Sequence, residues 1–187
     1  MSIYKAIVIG VSAGGLKALS ELFSELPGNF SLPIMVTQHL HPEDDGSLSE
    51  ILGSNSCLKI IEATDKMPIS PGTVYLAPSN YHLLIERNQV LALSKDPKIN
   101  YSRPSIDVMF ESAAYTYGAS LIGIILTGAN NDGAAGISLI KDFGGLTIAQ
   151  DPATTEFPAM PGFAIATGKV DKICSIKEIS KYLKSLV

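Results

Sequence analysis

Short, unbroken apolar runs alternate with segments in which apolar residues recur every three or four positions, and that rhythm organises most of the chain. Ala6-Ile7-Val8-Ile9 is apolar throughout and largely β-branched, as a parallel strand covered on both faces requires. Beyond Gly10, residues Leu16, Leu19, Leu22, Phe23 and Leu26 fall at helical spacing, and Pro27-Gly28 ends the pattern. Pro33-Ile34-Met35-Val36-Thr37-Gln38 predicts a second strand, 47–52 a short helix stopped by Gly53, and Leu58-Lys59-Ile60-Ile61 a third strand.

The rhythm breaks in the middle. Thr73-Val74-Tyr75-Leu76, Tyr81-His82-Leu83-Leu84-Ile85 and Val90-Leu91-Ala92-Leu93 lie too close together for crossover helices, which predicts antiparallel hairpins. Alternation then resumes. Ser105 can cap a helix carrying Ile106, Met109, Phe110 and Ala113 on one face. Leu121-Ile122-Gly123-Ile124-Ile125-Leu126 is the strongest buried-strand signal, 134–143 is helical, Leu146-Thr147-Ile148-Ala149 is a late strand, and 175–186 is a final amphipathic helix. The expectation is one α/β domain over 1–187: a doubly wound, mostly parallel sheet with an antiparallel hairpin insert and helices on both faces.

Composition narrows the function. Apolar residues make up 46% of the 187 and charged ones 17%, which supports a packed core and argues against disorder. A formal net charge of -4 without a dense Lys/Arg cluster makes nucleic acid a poor partner. Cys57 and Cys174 stand in no metal or redox spacing, so neither a metal nor another cofactor is expected. No apolar stretch is long enough to suggest membrane insertion, and the N-terminus lacks a signal-peptide layout, so the expected compartment is the cytoplasm. Nothing in the sequence fixes the oligomeric state.

In open parallel sheets, functional groups gather past the C-terminal ends of the strands. The first such loop, Gly10-Val11-Ser12-Ala13-Gly14-Gly15, matches the G-x-S-x-G turn that lifts a serine hydroxyl clear of the backbone in front of a helix N-terminus. Two plainer roles compete. A Gly-rich turn of this kind often binds phosphate, but a dinucleotide-binding fold would want glycine at position 12 and a ribose-binding acid at the end of the second strand, where Val36-Thr37-Gln38-His39 stands instead. A serine that merely caps the helix is as common as a catalytic one.

Two further loops break the tie. His39 follows the second strand directly, where a general base would reach Ser12, whereas His41 lies further out and His82 sits within a predicted hairpin strand. Asp132, in Thr127-Gly128-Ala129-Asn130-Asn131-Asp132-Gly133, follows the most apolar strand and can orient a histidine, although an Asp before a helix is also an ordinary cap. Three such residues at three strand ends make a far more specific signal than any one alone. Their chain order, Ser-His-Asp, is not that of the α/β-hydrolases.

With these residues in view, the chain resembles the catalytic domain of the chemotaxis protein-glutamate methylesterases (CheB-type). The resemblance rests on Ile9-Gly10-Val11-Ser12-Ala13-Gly14-Gly15, Val36-Thr37-Gln38-His39-Leu40, Val74-Tyr75-Leu76-Ala77-Pro78, Arg103-Pro104-Ser105-Ile106-Asp107, Thr127-Gly128 through Asp132-Gly133-Ala134-Ala135-Gly136, and Met160-Pro161 through Ala164-Ile165. It implies hydrolysis of glutamate γ-methyl esters on chemoreceptor helices, with release of methanol and deamidation of some receptor glutamines. It further implies Ser12 as nucleophile, His39 as base, Asp132 as orienting acid, and the backbone N–H groups of Ala13 and Ala129 as oxyanion donors. Well-known members carry a small hydroxyl residue at position 13 and often Met at 129, so the pocket is expected to differ in shape. They also carry an N-terminal receiver domain, for which this sequence leaves no room, so a stand-alone or excised catalytic domain is expected. The competing class is a non-catalytic phosphate- or receptor-binding module on the same fold. Arg103 reads as a loop anchor and Glu43-Asp44-Asp45 as a solvated run.

Overall fold

The structure, a computed structural model, describes residues 3–40 and 46–186; His41 and the Glu43-Asp44-Asp45 run lie outside the described residues. In chain order the elements are β1 (Ala6–Val11), α1 (Gly15–Ser24), β2 (Ile34–Gln38), α2 (Leu48–Ser54), β3 (Lys59–Glu62), β4 (Thr73–Leu76), β5 (His82–Ile85), β6 (Leu91–Ser94), α3 (Ile106–Tyr117), β7 (Leu121–Ile125), α4 (Ala134–Asp142), β8 (Leu146–Gln150), α5 (Ala159–Ala166), β9 (Lys172–Cys174) and α6 (Ile176–Lys184).

Seven strands form one sheet in the order β3-β4-β2-β1-β7-β8-β9, and every pairing in it is parallel. β1 is completely buried, as its uninterrupted apolar run requires. Its odd positions Ile7, Ile9 and Val11 face Leu19, Phe23, Leu52 and Leu183, from α1, α2 and α6. Ala6 and Val8 face the opposite side with Phe110, Ile137 and Met160, from α3, α4 and α5, and with Leu83 and Leu91 of the β5–β6 hairpin. Helices therefore cover both faces. The chain leaves β1 towards β2 but leaves β7 towards β8, so the winding reverses between the adjacent strands β1 and β7, the place where such sheets open a crevice for ligands.

The doubly wound α/β fold with a hairpin insert is as expected, with one strand reassigned. β4 is not a hairpin partner: it runs parallel between β2 and β3, and among the strands of the described residues only β5 and β6 pair antiparallel. Segment 63–72 links β3 to β4 without a helix. It instead hydrogen-bonds along the hairpin, through Lys66 N–H to Leu91 O and Ile69 N–H to Gln89 O, and Tyr75 Oη accepts from Ser70 N–H at 2.8 Å. Packing on the hairpin thus does for this connection what a crossover helix normally does. α5 and β9 complete the sheet's far side and had no clear signal in the pattern. Among the described residues no helix is long and apolar enough to cross a membrane.

Candidate active site

The parallel ladders run one step beyond the strand ends. Ser12 N–H donates to Thr127 O at 2.9 Å and His39 N–H donates to Val11 O at 3.1 Å. These two bonds hold the loops after β1, β2 and β7 side by side, with Ser12, His39 and Asp132 on one rim of the sheet. The turn into α1 is made at Gly14, whose φ of 77° is the left-handed conformation that glycine adopts without steric cost. Ser12 itself is not among the described residues of positive φ.

The three expected side chains meet. Ser12 Oγ lies 3.2 Å from His39 Nδ1, and His39 Nε2 lies 2.7 Å from Asp132 Oδ2. Asp132 is fully buried, and the His39 side chain is only 12% exposed. The carboxylate collects four other donors. Ile106 N–H reaches Oδ2 at 2.7 Å, while Ser105 Oγ–H, Asp107 N–H and Asn100 Nδ2 reach Oδ1 at 2.9, 3.1 and 3.3 Å. Burial alone would raise its pKa, but the hydrogen bonds from His39 and the Ile106 and Asp107 N–H groups outweigh it and hold the carboxyl below its usual value. An ionised Asp132 can only accept, so the proton of the neutral imidazole sits on Nε2 and the lone pair on Nδ1 faces Ser12.

Two sequence-level assignments change here. Ser105 stands at the N-cap position of α3 but makes no cap hydrogen bond; its hydroxyl goes to Asp132. The cap of α3 is Asp132 itself, reaching across from the β7 loop to a helix it does not precede. His82 is structural. It is buried, its Nε2–H donates to Pro97 O at 3.1 Å, and its Nδ1 accepts from Ser105 N–H at 3.2 Å. Arg103 is a loop anchor as expected: Nη1 donates to Lys95 O and Asp96 O, and Nε and Nη2 to Asn80 Oδ1.

The expected oxyanion donors lie on the loops flanking Ser12. Neither Ala13 N–H nor Ala129 N–H donates to an acceptor among the described residues. Thr127 Oγ1–H donates to Ala13 O at 2.9 Å, tying the two loops together. The loop carrying Ala129 is held by the start of α5 and the segment just before it, through Gly128 N–H to Phe157 O and Met160 N–H to Gly128 O. A predominantly apolar groove of about 620 Å³ opens beside Ser12, lined by Leu16, Gln38, Leu40, Leu48 and Ile51. A cavity of about 330 Å³ lies on the His39 side, lined by Lys98, Tyr101 and Arg103 together with Leu40 and Pro104.

Residues missed in the sequence also shape the site. Gln38 is buried at the end of β2 and its Nε2 donates to both Ser12 O, at 2.9 Å, and His39 O, at 3.0 Å. Asp107 is a second, half-buried carboxylate that accepts from Gly136 N–H at 2.7 Å and from Asn100 at 3.0 Å. Burial and the neighbouring Asp132 charge push its pKa up to about 6 against the pull of the Gly136 and Gly133 N–H groups. Asn130 places its amide nitrogen 3.2 Å from His39 Nδ1. Single polar residues, whether at a strand end (Gln38), in the first turn of a helix (Asp107) or in a loop (Asn130), add nothing to the hydrophobic period, so only the position of Gln38 next to His39 could have singled one of them out.

The chain is similar to known proteins over nearly its whole length. A protein of Leptospira interrogans named "Putative protein-glutamate methylesterase/protein-glutamine glutaminase" is 48% identical over 178 residues, covering 95% of this chain and 92% of that protein. A protein-glutamate methylesterase/protein-glutamine glutaminase of Clostridium acetobutylicum is 35% identical over 183 residues, and there the chain spans only 53% of its relative. The crystal structure of the Thermotoga maritima CheB methylesterase catalytic domain superposes with a TM-score of 0.94 at 38% identity, covering 98% of this chain and 99% of that one. The description "CheB methylesterase" fits residues 7–183, and with the fold, the strand-end loops and these relatives in agreement, the chain belongs to the CheB methylesterase family.

Proposed function

We propose that this protein is a serine carboxyl-ester hydrolase that removes methyl groups from glutamate γ-methyl esters on chemoreceptor helices, and that it also deamidates receptor glutamines. The observation that carries this reading is the continuous line from Ser12 Oγ through His39 Nδ1 and Nε2 to Asp132 Oδ2, at 3.2 and 2.7 Å, built from three neighbouring strand ends. The names of the Clostridium and Leptospira relatives supply the substrate class.

The chemistry follows from the proton positions. Ser12 Oγ attacks the ester carbonyl as its proton passes to His39 Nδ1, and Asp132 stabilises the resulting imidazolium. The N–H groups of Ala13 and Ala129 would hold the carbonyl oxygen as its charge develops. Collapse expels methanol, which takes the proton from Nδ1; in deamidation, ammonia leaves instead. Water then attacks the acyl-Ser12 bond, giving up a proton to His39, and glutamate departs as Ser12 recovers its own. The apolar groove beside Ser12 suits a methyl ester carried on one flank of a helix.

The test is methanol release from a methylated chemoreceptor preparation by the wild-type protein and by S12A. The half-exposed position of Ser12 predicts a folded variant, with turnover lowered by about 10⁴- to 10⁶-fold. A wild-type protein that releases no methanol, or an S12A variant that releases it at a comparable rate, would overturn the assignment.

A further inference from the structure

Two donors converge on one lone pair at the base. His39 Nε2–H is committed to Asp132, which leaves Nδ1 as the acceptor of a neutral imidazole. Ser12 Oγ stands 3.2 Å from Nδ1, and Asn130 Nδ2 stands 3.2 Å from the same atom. The Asn130 amide cannot be turned round without loss. Its Oδ1 accepts from Asp132 N–H at 3.1 Å, two residues on, and a flip would set the NH₂ against that N–H and the oxygen against the histidine lone pair.

Resting on the assignment of His39 as base, we propose that Asn130 is a positioning residue that shares the Nδ1 lone pair with Ser12, fixing the plane of the imidazole and opposing its protonation in the free enzyme. A hydrogen bond donated to the neutral form of a base disfavours the charged form, and an imidazolium would turn an N–H towards the N–H of Asn130. Among the described residues, the other charged or titratable groups around His39 are Asp132 at Nε2, Asp107 behind it on α3, and Lys98, Tyr101 and Arg103 across the adjoining cavity. N130A removes the donor without adding a charge, so its profile reports on the hydrogen bond itself, whereas N130D also brings a negative charge next to Asp132.

N130D separates this role from a purely structural one. Aspartate keeps the oxygen that accepts from Asp132 N–H, so the turn is retained, but it replaces the donor with a carboxylate that invites a proton onto Nδ1. The experiment is the pH dependence of inactivation by a fluorophosphonate, for wild type, N130D and N130A, with S12A as the blank. The acid limb should move to higher pH in both variants, by about one to three units in N130D and less in N130A. N130D should react more slowly than wild type on the acid side of its profile, and the two rates should converge at alkaline pH. Superimposable profiles for wild type and N130D would overturn the proposal while leaving the serine hydrolase intact. Failure of the wild type itself to be labelled at Ser12 would instead reject the active site on which the proposal rests.

Discussion

Gly15 and Gln38 compete for one volume: a Cβ built on Gly15 would lie 1.8 Å from Gln38 Oε1. Gly15 does not have the positive φ of Gly14, so glycine is needed here for a neighbour's amide and not for its own backbone. The amide earns the room by tying the Ser12 and His39 carbonyls together through Nε2, although its buried Oε1 finds no partner among the described residues.

G15A should therefore displace Gln38 and misplace the two loops relative to each other. A misplacement of the order of 1 Å at a reacting centre costs about a hundredfold, and kcat in ester hydrolysis should fall by that much. Q38L should do the same. If both act through the shared clip, the double variant is little worse than either alone, and a double-mutant cycle measures this directly. Multiplying losses would show that the two residues act separately.

D132N should cost activity and stability together. The amide offers one acceptor oxygen where the carboxylate accepts from five donors, and its NH₂ must face N–H or O–H groups. Loss of the orienting charge predicts a fall in kcat of about 10⁴. Loss of the α3 cap predicts a lower urea midpoint, which S12A should not share. An inert D132N with the wild-type midpoint would mean that the α3 cap contributes nothing.

Asp107 and Asp132 pull stability in opposite directions with pH. Asp107 keeps its proton in the native state up to about 6 but loses it near the ordinary 3.8 when unfolded. Through that window the native state binds more protons, so rising pH costs stability from this group. Asp132, with its pKa depressed, contributes stability that is present above the ordinary carboxylate value and lost as pH falls through the folded one. D107N removes only the first effect. Urea titrations of both proteins should show D107N gaining on wild type between about pH 4 and pH 6 and a constant offset above that. Parallel curves across the whole range would contradict the raised pKa.

The sequence was legible wherever a residue's place followed from the strand pattern. Ser12, His39 and Asp132 could be found because each follows an apolar run, and in parallel sheets those ends share one rim. β4 was misassigned because spacing along the chain says where a connection is short, not what it packs on; the hairpin that supports 63–72 is a tertiary partner. α5 escaped because Ala159–Ala166 is almost wholly apolar and holds Pro161 and Gly162, so it has no polar face to mark the period. Asp132 was expected to orient His39 or to cap the helix that follows it. Its service to α3 depends on a contact 26 residues back in sequence that no local pattern encodes.

The alignment of β1 with β2 and β7, Gly10 opposite Thr37 on one side and Ile125 on the other, makes turnover a gauge of correct assembly. Slipping either neighbour by one residue would carry its loop about 3.3 Å along the strand and turn its side chains to the opposite face. Ser12 would then lose His39, or His39 would lose Asp132, in a chain that still has native secondary structure. Esterase activity recovered after refolding therefore counts only the molecules whose three central strands have docked in the native alignment, a fraction that circular dichroism would not distinguish.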